Sequence, residues 1–145
     1  YQKAWQSAPY PPVFVTADAL VVQAGHVLLI ERGGEYGRGL YALAGGFLDK
    51  DESLLDCALR ELQEETGLII SPSTLKASHA FDAPNRSARG RTVTTVFYFE
   101  LTGDKLPDVA GGDDASRAFW LPLGELDGRM MFEDHYSVIT KMLGL

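Results

Sequence analysis

Residues Gly46 to Leu68 read GFLDKDESLLDCALRELQEETGL. The second half of this stretch predicts a helix over Ser53 to Thr66. Leu55, Ala58, Leu59 and Leu62 form one apolar stripe at helical spacing. Ser53 with Asp56 three residues on resembles a capping box with Asp in place of Glu, and Gly67 suits the position just past a helix end. On this helix Glu61, Glu64 and Glu65 stand at i, i+3 and i+4, so they share a face with Cβ atoms about 5–6 Å apart. At an effective dielectric of about 20 each like-charge pair costs about 3 kcal/mol before screening. The three acids also fill the last turn, where the helix dipole favours cations. One reading is a solvated acidic face. The other is a cation site, and both electrostatic penalties point to it, as does the neighbouring Gly45-Gly46 pair. Carboxylates so arranged suit Mg²⁺, which keeps several waters and bridges to phosphate oxygens.

Working outward, Val13 to Val22 and His26 to Glu31 read as strands joined by a Gln23-Ala24-Gly25 turn, a hairpin. Gly33, Gly34, Gly37 and Gly39 mark a loop. Leu40 to Leu43 is a short strand running into a Gly45-Gly46 turn. Strands follow near Lys76 to Asp82, Thr92 to Leu101 and Phe119 to Leu121. Val109 to Ser116 is an acidic loop, and Glu133 to Leu143 a final helix. The order predicts an α/β fold, a mixed β-sheet sandwiched between α-helices. The chain of 145 residues suits one domain, over 13–145, with 1–12 as a lead-in or linker.

A net charge of −7 argues against a nucleic-acid partner but not against a small anionic substrate, because bound metal ions reverse the local field. The single cysteine, Cys57, fits a cytoplasmic protein, and the neighbouring acids favour a buried filler over a reactive thiolate. No apolar run is long enough to span a membrane.

Gly46, Glu52, Arg60-Glu61-Leu62, Glu64-Glu65 and Gly67-Leu68 resemble the Nudix box at every defining position. The resemblance implies the Nudix fold, an α/β/α sandwich, and hydrolysis dependent on Mg²⁺, with Mn²⁺ as an alternative. It implies metal ligation by the Gly45 carbonyl, Glu61, Glu64 and Glu65. Glu52 would orient Arg60, Arg60 would hold Glu61, and Gly46 and Gly67 would shape the box. The family often has Leu-Pro before the glycines where this chain has Leu43-Ala44; the loss of proline leaves φ freer there.

Three flanking segments, FVTADALVVQAGHVLLIERG, FDAPNRSARGRTVTTVFYFEL and GGDDASRAFWLPLGEL, look like the Nudix half of bifunctional nicotinamide-mononucleotide adenylyltransferase/ADP-ribose pyrophosphatase proteins. Pro84, 16 residues after Leu68, has the spacing associated with ADP-ribose pyrophosphatases. The resemblance implies hydrolysis of ADP-ribose to AMP and ribose 5-phosphate. Arg86, Arg89 and Arg91 read either as a diphosphate or ribose clamp or as a solvated loop. Family members often supply a further acid from a loop like the one holding Asp113 and Asp114; Asp114 is carried over, with Asp113 equally suited. The catalytic set is then Arg60, Glu61, Glu64 and Asp114, with Glu61, Glu64 or Asp114 as proton acceptor. Phe81, Phe119 and Trp120 read as core, and His26, His79 and His135 as structural or exposed.

Two rivals stand beside this. One keeps the chemistry and changes the substrate to NADH, a dinucleoside polyphosphate or an oxidised nucleotide. The other is a ligand-binding sensor domain related to regulators of NAD metabolism. Expected partners are a small-molecule nucleoside diphosphate, a second copy in a homodimer and an adenylyltransferase domain preceding Tyr1, with no nucleic acid and no membrane.

Overall fold

The computed structural model describes residues 9–145, so most of the expected lead-in lies outside the described residues. Strand β1 (Phe14–Gln23) turns through Ala24 and Gly25, both at positive φ, into β2 (His26–Arg32). Short strands β3 (Tyr41–Ala42) and β4 (Ala44–Phe47) precede helix α1 (Leu54–Thr66). Then come β5 (Leu75–Phe81), β6 (Thr92–Glu100), β7 (Ala115–Pro122) and helix α2 (His135–Leu143). The sheet runs β3-β2-β1-β6-β5, with β4 added to β1 and β7 to β2. It is mixed because β1 and β6 pair in parallel while the other pairs are antiparallel.

Alternation along β1 decides the layering. Ala17, Ala19 and Val21 pack with Cys57, Ala58 and Leu62 of α1. Leu20 and Val22, of opposite parity, pack with Val138 and Ile139 of α2. A strand sends successive side chains to opposite faces, so one strand carries both cores and the α/β/α sandwich follows. Burying a Leu or Val in either core contributes about 1.5–3 kcal/mol. Phe119, Trp120 and Phe81 pack against these cores, as their apolar bulk suggests.

Helix α1 begins and ends as its sequence dictates. The Ser53 side chain accepts the Asp56 N–H at 3.1 Å, and Gly67 closes the helix at φ 75°. The expected Gly45-Gly46 turn is instead part of β4, with Gly45 opposite Asp18 and Gly46 opposite Ala17. The strand is imposed by its β1 partner, far away in sequence, and not by local preference. The last strand is longer than its apolar part, Phe119–Leu121, because Ala115 to Arg117 pair along β2 with exposed or small side chains.

Candidate metal and diphosphate site

Arg60 lies on α1 facing the start of the helix and the end of β4. Its Nε donates to Glu52 Oε2 at 2.9 Å and its Nη2 to Glu52 Oε1 at 2.7 Å. Nη1 donates to Glu61 Oε1 at 2.9 Å and Glu64 Oε2 at 3.1 Å. One guanidinium therefore joins the front of the helix to its acidic face. The bidentate bond to Arg60 holds the Glu52 carboxyl down at about 2 and lifts Arg60 further above its ordinary range. Arg60 thus offsets part of the repulsion expected between Glu61 and Glu64.

Glu65 has no ion pair among the described residues, and the charge of Arg32 relieves it only in small part. It is buried, and its Oε1 accepts the Gly45 N–H at 2.8 Å. Burial pushes its carboxyl up to about 8, and the charges of Glu61 and Asp18 add to this against the backbone hydrogen bond. Burial also raises Glu61, opposed by Arg60.

The glycines of β4 make the site possible. A Cβ on Gly46 would lie 2.5 Å from the Glu61 carboxyl carbon, and one on Gly45 would strike the Asp18 carboxylate. A further acid arrives from the loop before β7. Gly112 passes so close to α1 that a Cβ would meet the Glu64 carbonyl oxygen at 2.6 Å. The next residue, Asp113, turns back at φ 51°. Carboxylate oxygens of Glu61, Glu64 and Asp113 consequently lie within 4.8 Å of one another. Three hard oxygen donors in one patch, one largely buried and two exposed, fit a divalent ion such as Mg²⁺ or Mn²⁺. Asp114, the acid carried over from the family, stands beside this group on the cleft wall, while Glu65 is behind it with the Gly45 amide.

Glu61, Glu65, Asp113 and Asp114 line a cleft of about 260 Å³ together with Arg32 and Arg89. A neighbouring space of about 300 Å³ is lined by Tyr36, Phe47 and the same two arginines. Arg32 stacks at 4.0 Å from the Phe132 ring centre, and Arg89 lies 5.5 Å from that of Phe47. Of the three loop arginines expected to clamp phosphate, Arg89 alone lines this cleft. Arg86 is buried and joined to both oxygens of Asp134, at 2.9 and 2.8 Å. Arg91 reaches back to the Ala83 carbonyl at 3.4 Å. Pro84 lies in the turn between β5 and β6, clear of any strand. Arg32 escaped the sequence reading, although its place at the end of a strand before two glycines is where a ligand-facing residue belongs.

Cys57 is fully buried and donates weakly to the carbonyls of Gly46 and Phe47. Burial raises its thiol to about 12, so it is a filler. His135 is buried, His79 exposed and His26 between these extremes. No helix among the described residues is long and apolar enough to cross a membrane.

A family model described as NUDIX domain matches residues 13–142. The chain is 33% identical over 125 residues to an ADP-ribose pyrophosphatase of Methanocaldococcus jannaschii, covering 86% of this chain and 70% of that protein. It is similar to a bifunctional NMN adenylyltransferase/ADP ribose pyrophosphatase from Francisella tularensis, solved with AMP and a manganese ion. There the identity is 38%, the TM-score 0.94, and the match covers 99% of this chain and 45% of that one. The chain thus spans less than half of that bifunctional protein. The NUDIX domain of Shewanella oneidensis NrtR, solved with ADP ribose, matches at 25% identity and a TM-score of 0.80, covering 99% and 97% of the two chains.

Proposed function

Since the chain belongs to the NUDIX domain family, we propose that this Nudix hydrolase cleaves the diphosphate of ADP-ribose, giving AMP and ribose 5-phosphate. The observation that carries the reading is the gathering of Glu61, Glu64 and Asp113, two of which, Glu61 and Asp113, line a cleft together with Arg32 and Arg89. A diphosphate needs cationic groups on its oxygens and a base for water, and this cleft presents both kinds of side chain. The likeness to the M. jannaschii and F. tularensis enzymes selects ADP-ribose among nucleoside diphosphates.

Glu61, Glu64 and Asp113 would hold a divalent ion, Mg²⁺ in this reading, with the Gly45 carbonyl and the second oxygen of Glu65 as further ligands. Such an ion neutralises the diphosphate and lowers the pKa of water. Arg60 keeps Glu61 and Glu64 aligned, with Glu52 fixing Arg60 in turn. Arg32 and Arg89 grip the substrate. A water oxygen bonds to one phosphorus as the bond from that phosphorus to the bridging oxygen breaks. The water proton passes to a carboxylate of the Glu61, Glu64, Asp113 and Asp114 set, and the bridging oxygen leaves with the second phosphate. Arg86 supports the loop that carries Arg89. The NUDIX domain over 13–145 acts in the cytoplasm as a homodimer, joined in the full protein to an adenylyltransferase domain.

Product analysis with a panel of nucleoside diphosphate compounds and Mg²⁺ tests this. AMP and ribose 5-phosphate should form from ADP-ribose with the highest kcat/KM. A much higher value for NADH, a dinucleoside tetraphosphate or an oxidised nucleotide would overturn the substrate. Binding of ADP-ribose with no products would favour the sensor role, for which the ligand-bound NrtR domain is the precedent.

A further inference from the structure

On the α2 side of the sheet, behind Gly45 and Gly46, a cavity of about 30 Å³ is lined by Thr16, Asp18, Arg86, Arg89, Phe132 and His135. A space of that size takes about two water-sized groups, too little for a nucleobase or a phosphate. Two of its lining groups are buried and incompletely bonded. His135 is 6% exposed and Asp18 is 8% exposed. His135 Nδ1 accepts the Leu43 N–H at 3.0 Å, and the ring makes no other hydrogen bond among the described residues. A neutral imidazole that accepts at Nδ1 carries its proton on Nε2, and burial keeps this ring below its ordinary pKa and hence neutral. Asp18 Oδ2 accepts from Thr94 Oγ1 at 2.6 Å, while Oδ1 has no hydrogen-bond donor among the described residues.

Beside the arginine side chains, the cavity thus offers the Nε2–H donor of His135 and the Oδ1 acceptor of Asp18, both on largely buried residues. A ligand that presents an acceptor to Nε2–H and a donor to Oδ1 makes both hydrogen bonds at once and is favoured there. A cation is opposed by the guanidinium groups of Arg32, Arg86 and Arg89 in the lining, and an anion, having no proton to give, leaves Asp18 Oδ1 without a donor. Two adjacent hydroxyls satisfy the pair: one oxygen accepts from Nε2–H and the other hydroxyl donates to Oδ1. We propose that this cavity receives a ribose diol of the substrate, with His135 and Asp18 as the residues that read it. The proposal rests on the ADP-ribose reading, and two riboses of that molecule carry such a diol.

The test compares ADP-ribose with two analogues, one lacking both hydroxyls on the adenosine ribose and one with an alkyl group replacing the terminal ribose. Kd is measured by calorimetry in Ca²⁺ and turnover in Mg²⁺. The wild-type chain should bind one analogue about tenfold more weakly than ADP-ribose, the loss of about one hydrogen bond's net strength. The affected arm identifies the ribose. In His135→Asn the amide oxygen can replace Nδ1 as acceptor for Leu43 while nothing replaces Nε2–H. That variant should bind ADP-ribose about tenfold more weakly and the affected analogue no worse than the wild type does. Asp18→Asn, which turns the free acceptor into a donor, should show the same pattern and serves if His135→Asn does not fold.

Equal wild-type affinity for all three compounds overturns the proposal, since a cavity holding only water predicts that result. An equal loss in both variants for every compound also overturns it, by assigning the residues to structure alone. Diol discrimination without release of AMP in Mg²⁺ keeps the pocket and overturns the hydrolase. Hydrolysis without discrimination does the reverse.

Discussion

Glu52 and Glu65 belong to one short stretch of chain, and their surroundings drive them in opposite directions. Glu52 meets a guanidinium with both oxygens and takes the Asp49 N–H at 2.9 Å, so its charge is matched and its carboxyl stays near 2. Glu65 has one backbone donor, lies among other acids and rises to about 8. The front of the helix is therefore an electrostatically closed unit, while the last turn keeps a deficit that a cation cancels. Acidic residues a few positions apart can serve scaffold and chemistry separately, according to whether an arginine reaches them.

The strongest way to break this contrast is to remove the cation. Chelator should abolish turnover and Mg²⁺ should restore it; full activity in excess chelator would mean that the last turn needs no ion. Next in size are Glu61→Gln and Glu64→Gln. Each should lower kcat by at least about two orders of magnitude, as for loss of a key electrostatic or proton-transfer group. Metal-free melting temperatures should stay near that of the wild type. A collapsed melting temperature would show instead that these carboxylates hold the fold. In Arg60→Met the closed unit itself is opened. Unpairing Glu52 and Glu61 should cost about 1–3 kcal/mol in denaturant unfolding, with a loss of kcat because Glu61 and Glu64 lose their common anchor. Unchanged stability would reduce Glu52 and Arg60 to an ordinary surface pair.

The pH dependence of metal-free stability sharpens the comparison further. Glu65 has a folded pKa of about 8 against an ordinary 4.5. The folded state then binds the extra proton, and stability falls as pH rises through that window. Glu52, at about 2 against 4.5, does the opposite. Its contribution is complete above 4.5 and is lost as pH falls toward 2. Melting curves in chelator should slope both ways, with Glu65→Gln flattening the upper limb and Glu52→Gln the lower. A single slope removed by neither substitution would refute the assignment. The smallest effect concerns Cys57, whose thiol at about 12 should resist alkylation in the native protein at neutral pH and react once unfolded.

What could be read in advance follows from how local each signal is. Helix α1, its cap and its acids came from spacing within a few turns. Gly45 and Gly46 looked like a turn because their strand partners, Asp18 and Ala17, lie far back in the chain. Asp113 and Asp114 were indistinguishable because a single left-handed residue in the loop decides which carboxylate reaches Glu61. Arg86 resembled Arg89 in sequence, and only the fold reveals Asp134 beside it. Asp18 and His135 went unremarked as a pair because one sits in an apolar strand and the other opens a helix. The sheet brings them to a single cavity.

The parallel pairing of β1 with β6 joins positions as distant as Phe14 and Thr92, and this affects the order in which the protein assembles. Pairings that close long stretches of chain are slow to form. Helix α1, with its local contacts, can be present well before them. The β4 cradle waits for β1, and the cavity behind it waits for His135, which opens the final helix. During synthesis the acids would be exposed to the cell's ions long before any sugar pocket exists. Pulse-labelling hydrogen exchange during refolding should therefore protect the α1 amides first and the Leu43 amide, whose acceptor is His135, among the last.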